Sequence, residues 1–397
     1  MTTKRRLILI LNTASQEEIF AGEVTDVYFK RTKEILTRKN LDKQVRMECR
    51  AKSIPGSQWG VYAGLDEALE LLKETDLDVW SMHEGNIFQP YEPVLTLEGS
   101  YRDFAVLETP LLGFLCQATG IASKAARVKQ AAGDLPVYHF GARRMHPAIA
   151  PMIGRSAYIG GCDGVAVTKT AEMLGIDPVG TIPHALVLLL EDSPTATNMF
   201  QEIFGKDVTC VALVDTFGDE KFEALENADL IEQLEAIRLD TPSSRRGDMY
   251  EIAKEVRWEL DLRGFEHIQL FISGGLDEEE IRRLNPVADA YGVGTSISNA
   301  RVVDFALDIV EIEGEPVAKR GKRSGSKNVF SCSGCGSRYV LPWNTRCKKC
   351  PQCDEELESE LQKVLEKGAL NTDVLKPSRI RENTLKKVKN FNQNVLD

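Results

Sequence analysis

The hydrophobic pattern of the N-terminal part of the chain predicts a mixture of helices and strands. The apolar run 7–11 predicts a first β-strand, and the spacing of apolar residues in Glu23–Thr37 and Leu65–Leu72 predicts two helices. Residues 92–98, Glu-Pro-Val-Leu-Thr-Leu-Glu, predict an extended segment. We therefore expect a mixed α/β domain over residues 1–115, which is a common domain size.

The pattern changes over residues 116–297, where short β-branched runs alternate with helical stretches. This alternation is typical of parallel βα units, which either wind on both faces of a sheet or close into a barrel. The runs that predict strands are Val137–Phe140, Gly164–Val167, Val179–Ile182, Val208–Val214, Ala236–Leu239, Ile268–Ile272 and Tyr291–Val293.

Polar residues and glycines follow most of these runs. Because the carboxyl ends of parallel strands lie at one rim of a barrel, we expect these residues to surround one site. That convergence favours an α/β barrel over a doubly wound sheet. The residues are Arg143, Arg144, His184, Asp215, Asp240, Ser273, Gly274, Gly275, Gly294 and Thr295.

Two glycine loops, 273–275 and 292–295, follow late strands. Glycines allow backbone amides to approach an anion closely, and the first loop precedes a helix whose N-terminus favours negative charge. The pair of loops therefore indicates phosphate binding, although each loop could be a plain turn. Asp277 could simply cap the helix that follows.

Charged side chains add further candidate chemistry. Arg238 and Asp240 lie on the same side of one predicted strand and would suit a phosphate together with sugar hydroxyls or Mg²⁺. Asp215 could instead be a helix cap. His184 precedes an apolar run, so it is either a buried structural residue or a functional group on the rim.

Phe140, Arg143 and Arg144 combine an aromatic face with two cations. This combination suits a flat anionic ring, and its simpler interpretation is core packing beside surface charge.

Composition and charge exclude several classes of protein. The 397 residues are 43% hydrophobic and 27% charged, and we find no charge-free apolar run near the ~20 residues of a membrane span. The start of the chain imitates a secretory signal, but its apolar run is too short, so we expect a cytoplasmic protein.

The net charge is −11, yet from Lys319 onward there are 17 basic and 9 acidic residues. An acidic body with a basic tail argues against nucleic-acid binding through the main fold.

Five of the nine cysteines cluster in the tail. Two pairs with two-residue gaps match the spacing of a four-thiolate zinc ribbon, for which we favour Cys332, Cys335, Cys350 and Cys353. Cys347 is then left over. No histidine follows His267, so this zinc should be structural.

The stretch 319–327 is rich in charge, glycine and serine, and predicts a boundary before a C-terminal module at 327–397. Within that module, apolar spacing predicts a helix over Glu355–Lys367 after the zinc ribbon, and residues 385–395 predict a basic helical tail.

Taken together, these motifs resemble the nicotinate phosphoribosyltransferase family. The matching segments span residues 5 to 300 and include Thr25-Asp-Val-Tyr28-Phe, Glu108-Thr-Pro-Leu-Leu, Phe140-Gly-Ala-Arg-Arg144, Tyr158-Ile-Gly-Gly-Cys-Asp163-Gly, Gly180-Thr181-Ile-Pro-His184, Val214-Asp-Thr, Arg238-Leu-Asp240, Ile272-Ser-Gly-Gly-Leu-Asp277 and Gly292-Val-Gly-Thr295. The cysteine ribbon and the short chain look more like archaeal members.

The resemblance implies an incomplete TIM-like α/β barrel, an N-terminal α/β sandwich completed by residues 298–318, and a homodimer with a shared active site. It implies transfer of the 5-phosphoribosyl group of phosphoribosyl pyrophosphate to nicotinate, with Mg²⁺ and with ATP as a co-substrate. Phe140 and a neighbouring subunit's Tyr28 would stack on the ring, and Arg143, Arg238 and the glycine loops would hold phosphates.

The resemblance also implies roles for the remaining site residues. Asp240 would serve ribose hydroxyls or Mg²⁺, His184 would be phosphorylated by ATP, and Asp215 is a further catalytic candidate. Asp163 would favour an amide ring substituent, whereas Arg143 and Arg144 would favour an acid. Two alternatives remain: a decarboxylating quinolinate phosphoribosyltransferase, and a zinc-ribbon nucleic-acid adaptor supported only by the basic tail.

Overall fold

The computed structural model describes residues 11–205, 207–245, 247–346, 349–372 and 375–393. The strand expected at 7–11 lies outside these residues except for Leu11, which is exposed and outside any strand. Cys347 also lies outside the described residues.

The helices, in chain order, are α1 Gln16–Phe20, α2 Val27–Arg38, α3 Leu65–Leu72, α4 Tyr101–Phe104, α5 Glu108–Ala132, α6 Ala150–Ile159, α7 Thr168–Leu174, α8 His184–Leu190, α9 Ser193–Phe204, α10 Glu220–Leu230, α11 Met249–Leu262, α12 Glu278–Leu284, α13 Thr295–Ser298 and α14 Pro377–Gln393. Short 3-10 turns cover Ala105–Leu107, Ala142–Arg144 and Pro147–Ile149.

The strands are β1 Gln44–Ala51, β2 Gly60–Val61, β3 Asp78–Ser81, β4 Ile87–Phe88, β5 Pro93–Ser100, β6 Val137–His139, β7 Gly164–Val165, β8 Val211–Leu213, β9 Ala236–Leu239, β10 Gln269–Ser273, β11 Ala290–Val293, β12 Phe305–Ile312, β13 Glu315–Pro316, β14 Lys327–Cys332, β15 Arg338–Pro342, β16 Leu357–Ser359, β17 Gln362–Glu366 and β18 Ala369–Leu370.

The larger sheet is antiparallel and has seven strands in the order β13-β12-β1-β5-β3-β17-β18. It shares one hydrophobic core with α3 and the first half of α5. The helix expected at 65–72 and the strand expected at 92–98 are confirmed as α3 and β5. β12 pairs with β1, so the chain returns to this N-terminal sheet after the βα units.

The second sheet is parallel and has six strands in the order β7-β6-β11-β10-β9-β8. It corresponds to six of the seven predicted strands. Residues 179–182 form no strand, which corrects the seventh: Pro178 and Pro183 flank the segment, and proline cannot donate to a ladder. β7 and β8 are not paired with each other, so the described strands form an open, incomplete barrel.

The long helix α5 runs between the two cores. Leu111 and Leu115 belong to the core of the large sheet, whereas Ile121, Ala125 and Val128 belong to the core of the parallel sheet. Residues 101–132 are long and apolar enough to span a membrane, with a mean hydropathy of 1.4, but 61% of the apolar window is buried inside the protein. The stretch is therefore a core helix that joins the two sheets.

The helix expected over Glu355–Lys367 is wrong. These residues instead form β16 and β17, and β17 pairs antiparallel with β3. Leu361, Val364 and Leu365 are almost fully buried there. A strand is favoured over a helix here because β3 offers backbone groups that need partners and because the neighbouring core buries all three side chains. Local apolar spacing reveals neither feature.

The basic tail forms α14, which packs on α6 and α5. Arg381 pairs with Asp163 at 2.6 Å and donates to the Cys162 carbonyl at 2.8 Å, and Lys387 donates to Asn86 Oδ1 at 2.6 Å. Two basic residues of the tail, Arg381 and Lys387, thus contact other parts of the fold. This removes support from the nucleic-acid adaptor alternative.

Candidate active site

Two adjoining cavities open at the carboxyl ends of the parallel strands. The smaller has a volume of about 400 Å³, and the larger, of about 1420 Å³, adds His184 and Asp215. The structure therefore brings together the rim residues expected from the sequence. Those lining the smaller cavity are Phe140, Arg143, Arg144, Arg238, Asp240, Ser273, Gly274, Gly275, Gly294 and Thr295.

Arg238 is the centre of the polar network in the smaller cavity. Its Nη2 lies 2.9 Å from Asp240 Oδ2, and its Nε donates to Ser273 Oγ at 2.9 Å. Its Nη1 donates to Thr181 Oγ1 at 2.8 Å, and Ser273 Oγ donates to Asp240 Oδ1 at 2.7 Å. The ends of β9 and β10 and the loop of Thr181 are thereby held together around a paired cation and anion, which is a suitable arrangement for a phosphorylated sugar.

His184 is the first residue of α8, and its side chain contacts Asp215, which follows β8 and Val214. Its Nε2 lies 3.1 Å from Asp215 Oδ1. The histidine side chain is 39% exposed toward the larger cavity, whereas Asp215 is 1% exposed. Burial raises the pKa of Asp215, and the neighbouring His184 partly opposes this shift. Asp215 Oδ2 has no hydrogen-bond partner among the described residues.

The glycine loop after β10 has the conformation that its sequence suggested. Gly274 and Gly275 have φ angles of +91° and +73°, which glycine adopts at low cost. A Cβ on Gly274 would also lie 3.2 Å from the Asp240 carbonyl oxygen. Asp277 caps α12 by accepting from the amides of Glu279 and Glu280, so its capping role is confirmed.

Phe140 forms an aromatic wall beside this network. Its ring packs edge-on against Phe271 at 5.6 Å, and Arg238 Cζ lies 5.7 Å from its centroid. A Cβ on Gly292 would lie 2.8 Å from Phe140 Cδ2. Glycine is thus needed at position 292 because of the close packing of Phe140.

Sequence reasoning did not single out His139, the buried residue that directly precedes the cavity-lining Phe140. It is 1% exposed, and burial lowers its pKa to about 4. Its Nε2 lies 2.8 Å from Ser298 Oγ at the end of α13. A histidine inside a short buried strand gives no sequence signal of this contact.

The structure does not bring Asp163 to the site, which corrects that expectation. Asp163 precedes β7 and therefore lies at the amino ends of the strands, opposite the rim. Its Oδ2 accepts from the Val137 amide at 2.8 Å and lies 3.1 Å from Lys129 Nζ. Together with the ion pair to Arg381, these contacts make Asp163 a structural anchor for α14.

Tyr28 lines neither cavity of its own chain. It lies on α2, is 56% exposed, and its hydroxyl donates to Asp26 Oδ2 at 3.1 Å.

The four cysteines chosen from the sequence form a second cluster. The sulfur atoms all lie within 4.8 Å of one another, with 3.4 Å between Cys332 and Cys353 and 3.5 Å between Cys335 and Cys350. Four thiolates around a tetrahedral zinc lie about 3.8 Å apart, so the arrangement fits this ion. A hydrogen bond from Tyr339 lowers the pKa of Cys350 to about 6, which favours the thiolate.

Comparison with known proteins agrees with this architecture. Residues 26–119 match the family described as quinolinate phosphoribosyl transferase, N-terminal domain, and residues 121–308 match its C-terminal domain. The seven-stranded antiparallel sheet and the open parallel barrel thus coincide with the two domains of the quinolinate phosphoribosyl transferase family. A nicotinate phosphoribosyltransferase of Mycobacterium tuberculosis, pncB1, is 30% identical over 76% of this chain and 75% of its own. The chain belongs to the nicotinate phosphoribosyltransferase family.

Other relatives differ in length. The chain spans 55% of Mycobacterium tuberculosis pncB2, at 32% identity over 64% of this chain. Among solved structures, a nicotinate-nucleotide pyrophosphorylase from Pyrococcus furiosus is 50% identical, with a TM-score of 0.95 over 97% of this chain and 99% of that one. Human nicotinic acid phosphoribosyltransferase shares the fold, with a TM-score of 0.76 and 18% identity over 91% of this chain and 93% of that one.

Proposed function

We propose that this protein transfers the 5-phosphoribosyl group of phosphoribosyl pyrophosphate to the ring nitrogen of nicotinate, in the cytoplasm. The bond from ribose C1 to the pyrophosphate oxygen breaks, a bond from C1 to the ring nitrogen forms, and pyrophosphate leaves. The observation that carries the proposal is the Arg238–Asp240–Ser273 network beside the Gly274–Gly275 loop and Phe140. The curated relatives named for this activity support the choice of nicotinate.

The roles of the residues follow from their chemistry. The backbone amides of the two glycine loops and the Arg238 guanidinium would hold phosphate oxygens, and Phe140 would stack on the pyridine ring. Arg143 and Arg144, which line both cavities, would attract the carboxylate of nicotinate. Positive charge grows on ribose C1 as pyrophosphate departs, so the Asp240 carboxylate would stabilise the transition state more than the substrate.

Asp240 and Asp215 supply the carboxylate oxygens that Mg²⁺ prefers, and the unpartnered, buried Asp215 Oδ2 fits such a ligand. Bound Mg²⁺ would neutralise the charge of the departing pyrophosphate. The cysteine cluster would hold a structural zinc, since it offers four sulfur ligands and no position for water.

ATP coupling is part of the proposal. His184 is exposed to the larger cavity, and the buried Asp215 would orient its ring so that the other nitrogen, Nδ1, attacks the γ-phosphorus of ATP. The bond from that phosphorus to the β,γ-bridging oxygen would break, and ADP would leave. The phosphohistidine would later be hydrolysed, which couples ATP consumption to product formation.

A second subunit would complete the site. Tyr28 is exposed on α2 and lines no cavity of its own chain. Next to the large sheet lies a basic cavity of about 610 Å³ whose lining includes Arg50, Lys52, Lys322 and Arg323. Arg50 is 8% exposed, and its Nε and Nη2 have no partner among the described residues. In a homodimer, this basic cavity would face the phosphates of the substrates bound to the partner subunit, and Tyr28 would face their pyridine ring. An active protein that is monomeric in solution would contradict this arrangement.

Product analysis tests the reaction. The purified chain is incubated with phosphoribosyl pyrophosphate, Mg²⁺ and nicotinate, nicotinamide or quinolinate, each with and without ATP. We expect nicotinate mononucleotide from nicotinate, at a rate that ATP increases. Quinolinate is the second candidate because the matched family carries its name. If mononucleotide forms only when quinolinate is the acceptor, together with carbon dioxide, the assignment is overturned.

A further inference from the structure

Glu223 on α10 places a buried carboxylate against the loop that follows Asp215. The residue is 7% exposed. Its Oε1 accepts from the Phe217 amide at 2.8 Å and from the Gly218 amide, and its Oε2 accepts from the Thr216 amide at 3.3 Å. Three successive backbone amides thus converge on one side chain.

Such convergence restricts the loop to one conformation. Three consecutive N–H groups reach a single carboxylate only when 216–218 curls around it, in the manner of an anion-binding nest. The carboxylate in turn needs these donors, because a buried charge without hydrogen bonds is costly. The loop and Glu223 therefore stabilise each other.

The loop determines where the Asp215 side chain lies. Asp215 directly precedes the three amides, and only its Oδ1 has a partner among the described residues, His184 Nε2 at 3.1 Å. No second hydrogen bond among the described residues fixes this carboxylate, which is otherwise held by packing, with 1% of the side chain exposed. Its orientation therefore depends on its single hydrogen bond, on packing and on the backbone that Glu223 holds.

We propose that Glu223 is a positioning residue: through the amides of 216–218 it holds the Asp215 carboxylate on His184. The inference rests on the proposed function for its effect on turnover. The contact itself can be tested without that function.

The experiment compares Glu223→Gln with Glu226→Gln. Both remove one carboxylate from α10, but Glu226 is exposed on the solvent side of the helix. The amide group of glutamine brings donors toward backbone donors, so the loop should relax. We expect ATP-stimulated kcat to fall about tenfold in Glu223→Gln, with the KM values for nicotinate and phosphoribosyl pyrophosphate within about twofold of wild type. Glu226→Gln should match wild type.

NMR of the histidine rings gives a readout independent of turnover. The His184 signals, identified by their loss in His184→Ala, should shift in Glu223→Gln and stay unchanged in Glu226→Gln. Unchanged His184 signals in Glu223→Gln would overturn the inference, even if turnover falls. If wild-type protein makes no mononucleotide, the proposed function fails while the NMR comparison still decides the role of Glu223.

A second variant covers the case in which Glu223→Gln does not fold. A Cβ on Gly218 would lie 3.3 Å from Glu223 Oε1, so Gly218→Ala crowds the same contact without removing a charge. It should shift the His184 signals in the same direction by a smaller amount. A Gly218→Ala spectrum identical to wild type in the His184 signals would also contradict the proposal.

Discussion

At the scale of single residues, the site depends on charges that compensate each other. Arg238 and Asp240 are 15% and 19% exposed at the side chain, and each satisfies the other in a partly dry cavity. A polar pair of this kind costs little in the resting protein and is preorganised for substrate. The consequence is that removing one charge affects binding and catalysis more than folding.

Asp240→Asn tests this consequence. Asparagine keeps the shape of the side chain but removes the negative charge that would face ribose C1 or Mg²⁺. We expect kcat to fall about a hundredfold, with an unchanged melting temperature. Asp229→Asn, the same chemical change at an exposed position of α10, is the control and should retain wild-type rates. Full activity of Asp240→Asn at saturating Mg²⁺ would remove Asp240 from the mechanism.

His184→Ala separates the two proposed half-reactions. Without the imidazole no phosphohistidine can form, so ATP should no longer stimulate turnover, whereas slow basal transfer from phosphoribosyl pyrophosphate should continue. Label from γ-phosphate-labelled ATP should be absent from the protein. The exposed His267 provides a control, and His267→Ala should behave as wild type. Intact ATP stimulation in His184→Ala would disprove the role of His184.

At the scale of elements, the neighbouring strands β6 and β11 place Phe140 and Gly292 against each other. Gly292→Ala would add a Cβ 2.8 Å from the Phe140 ring, which also packs edge-on against Phe271. We expect the KM for nicotinate to rise about tenfold, because the ring wall moves. The KM for phosphoribosyl pyrophosphate should rise less, because the added Cβ would lie 3.1 Å from Ser273 Cβ in the other glycine loop and meets the Phe140 ring first. Steady-state kinetics checks this, and equal changes in both KM values would count against a stacking role for Phe140.

Local sequence patterns predict where the parallel strands end, but not which distant strands pair. The rim residues were predictable because the end of a parallel strand is a local property, visible where β9 runs into Asp240 and β10 into Gly274. Residues 362–366 were not, because their strand depends on pairing with β3, about 280 positions earlier. Asp163 was a candidate only through its place in a family motif, and its position before β7 gave no strand-end signal. Glu223 was invisible because its partners are backbone amides, which carry no sequence signature.

At the scale of the whole molecule, salt bridges connect the cysteine module, which comprises strands β14 to β16, to the seven-stranded sheet, called the sandwich below. Arg338 on β15 donates to Glu92 from Nε at 2.8 Å and from Nη2 at 3.0 Å, and its Nη1 lies 3.1 Å from Glu360. These three side chains are at most 11% exposed. Breaking such a network leaves buried charges without partners, which is strongly destabilising. The module therefore contributes to the stability of the sandwich as well as to its own.

Metal removal tests this connection. If zinc holds β14 to β16 in place, a chelator or Cys332→Ser should lower the melting temperature by about 10 °C, since a structural zinc is worth several kcal/mol. The destabilisation should include the sandwich, which the indole fluorescence of Trp80 reports, because Trp80 and Trp343 pack at 5.4 Å across the junction.

Cys116→Ser, outside the cluster, is the control. Metal analysis should find about one zinc per chain in wild type. A wild-type protein without zinc, or a chelated protein that melts as before, would show that the four thiols do not depend on a metal.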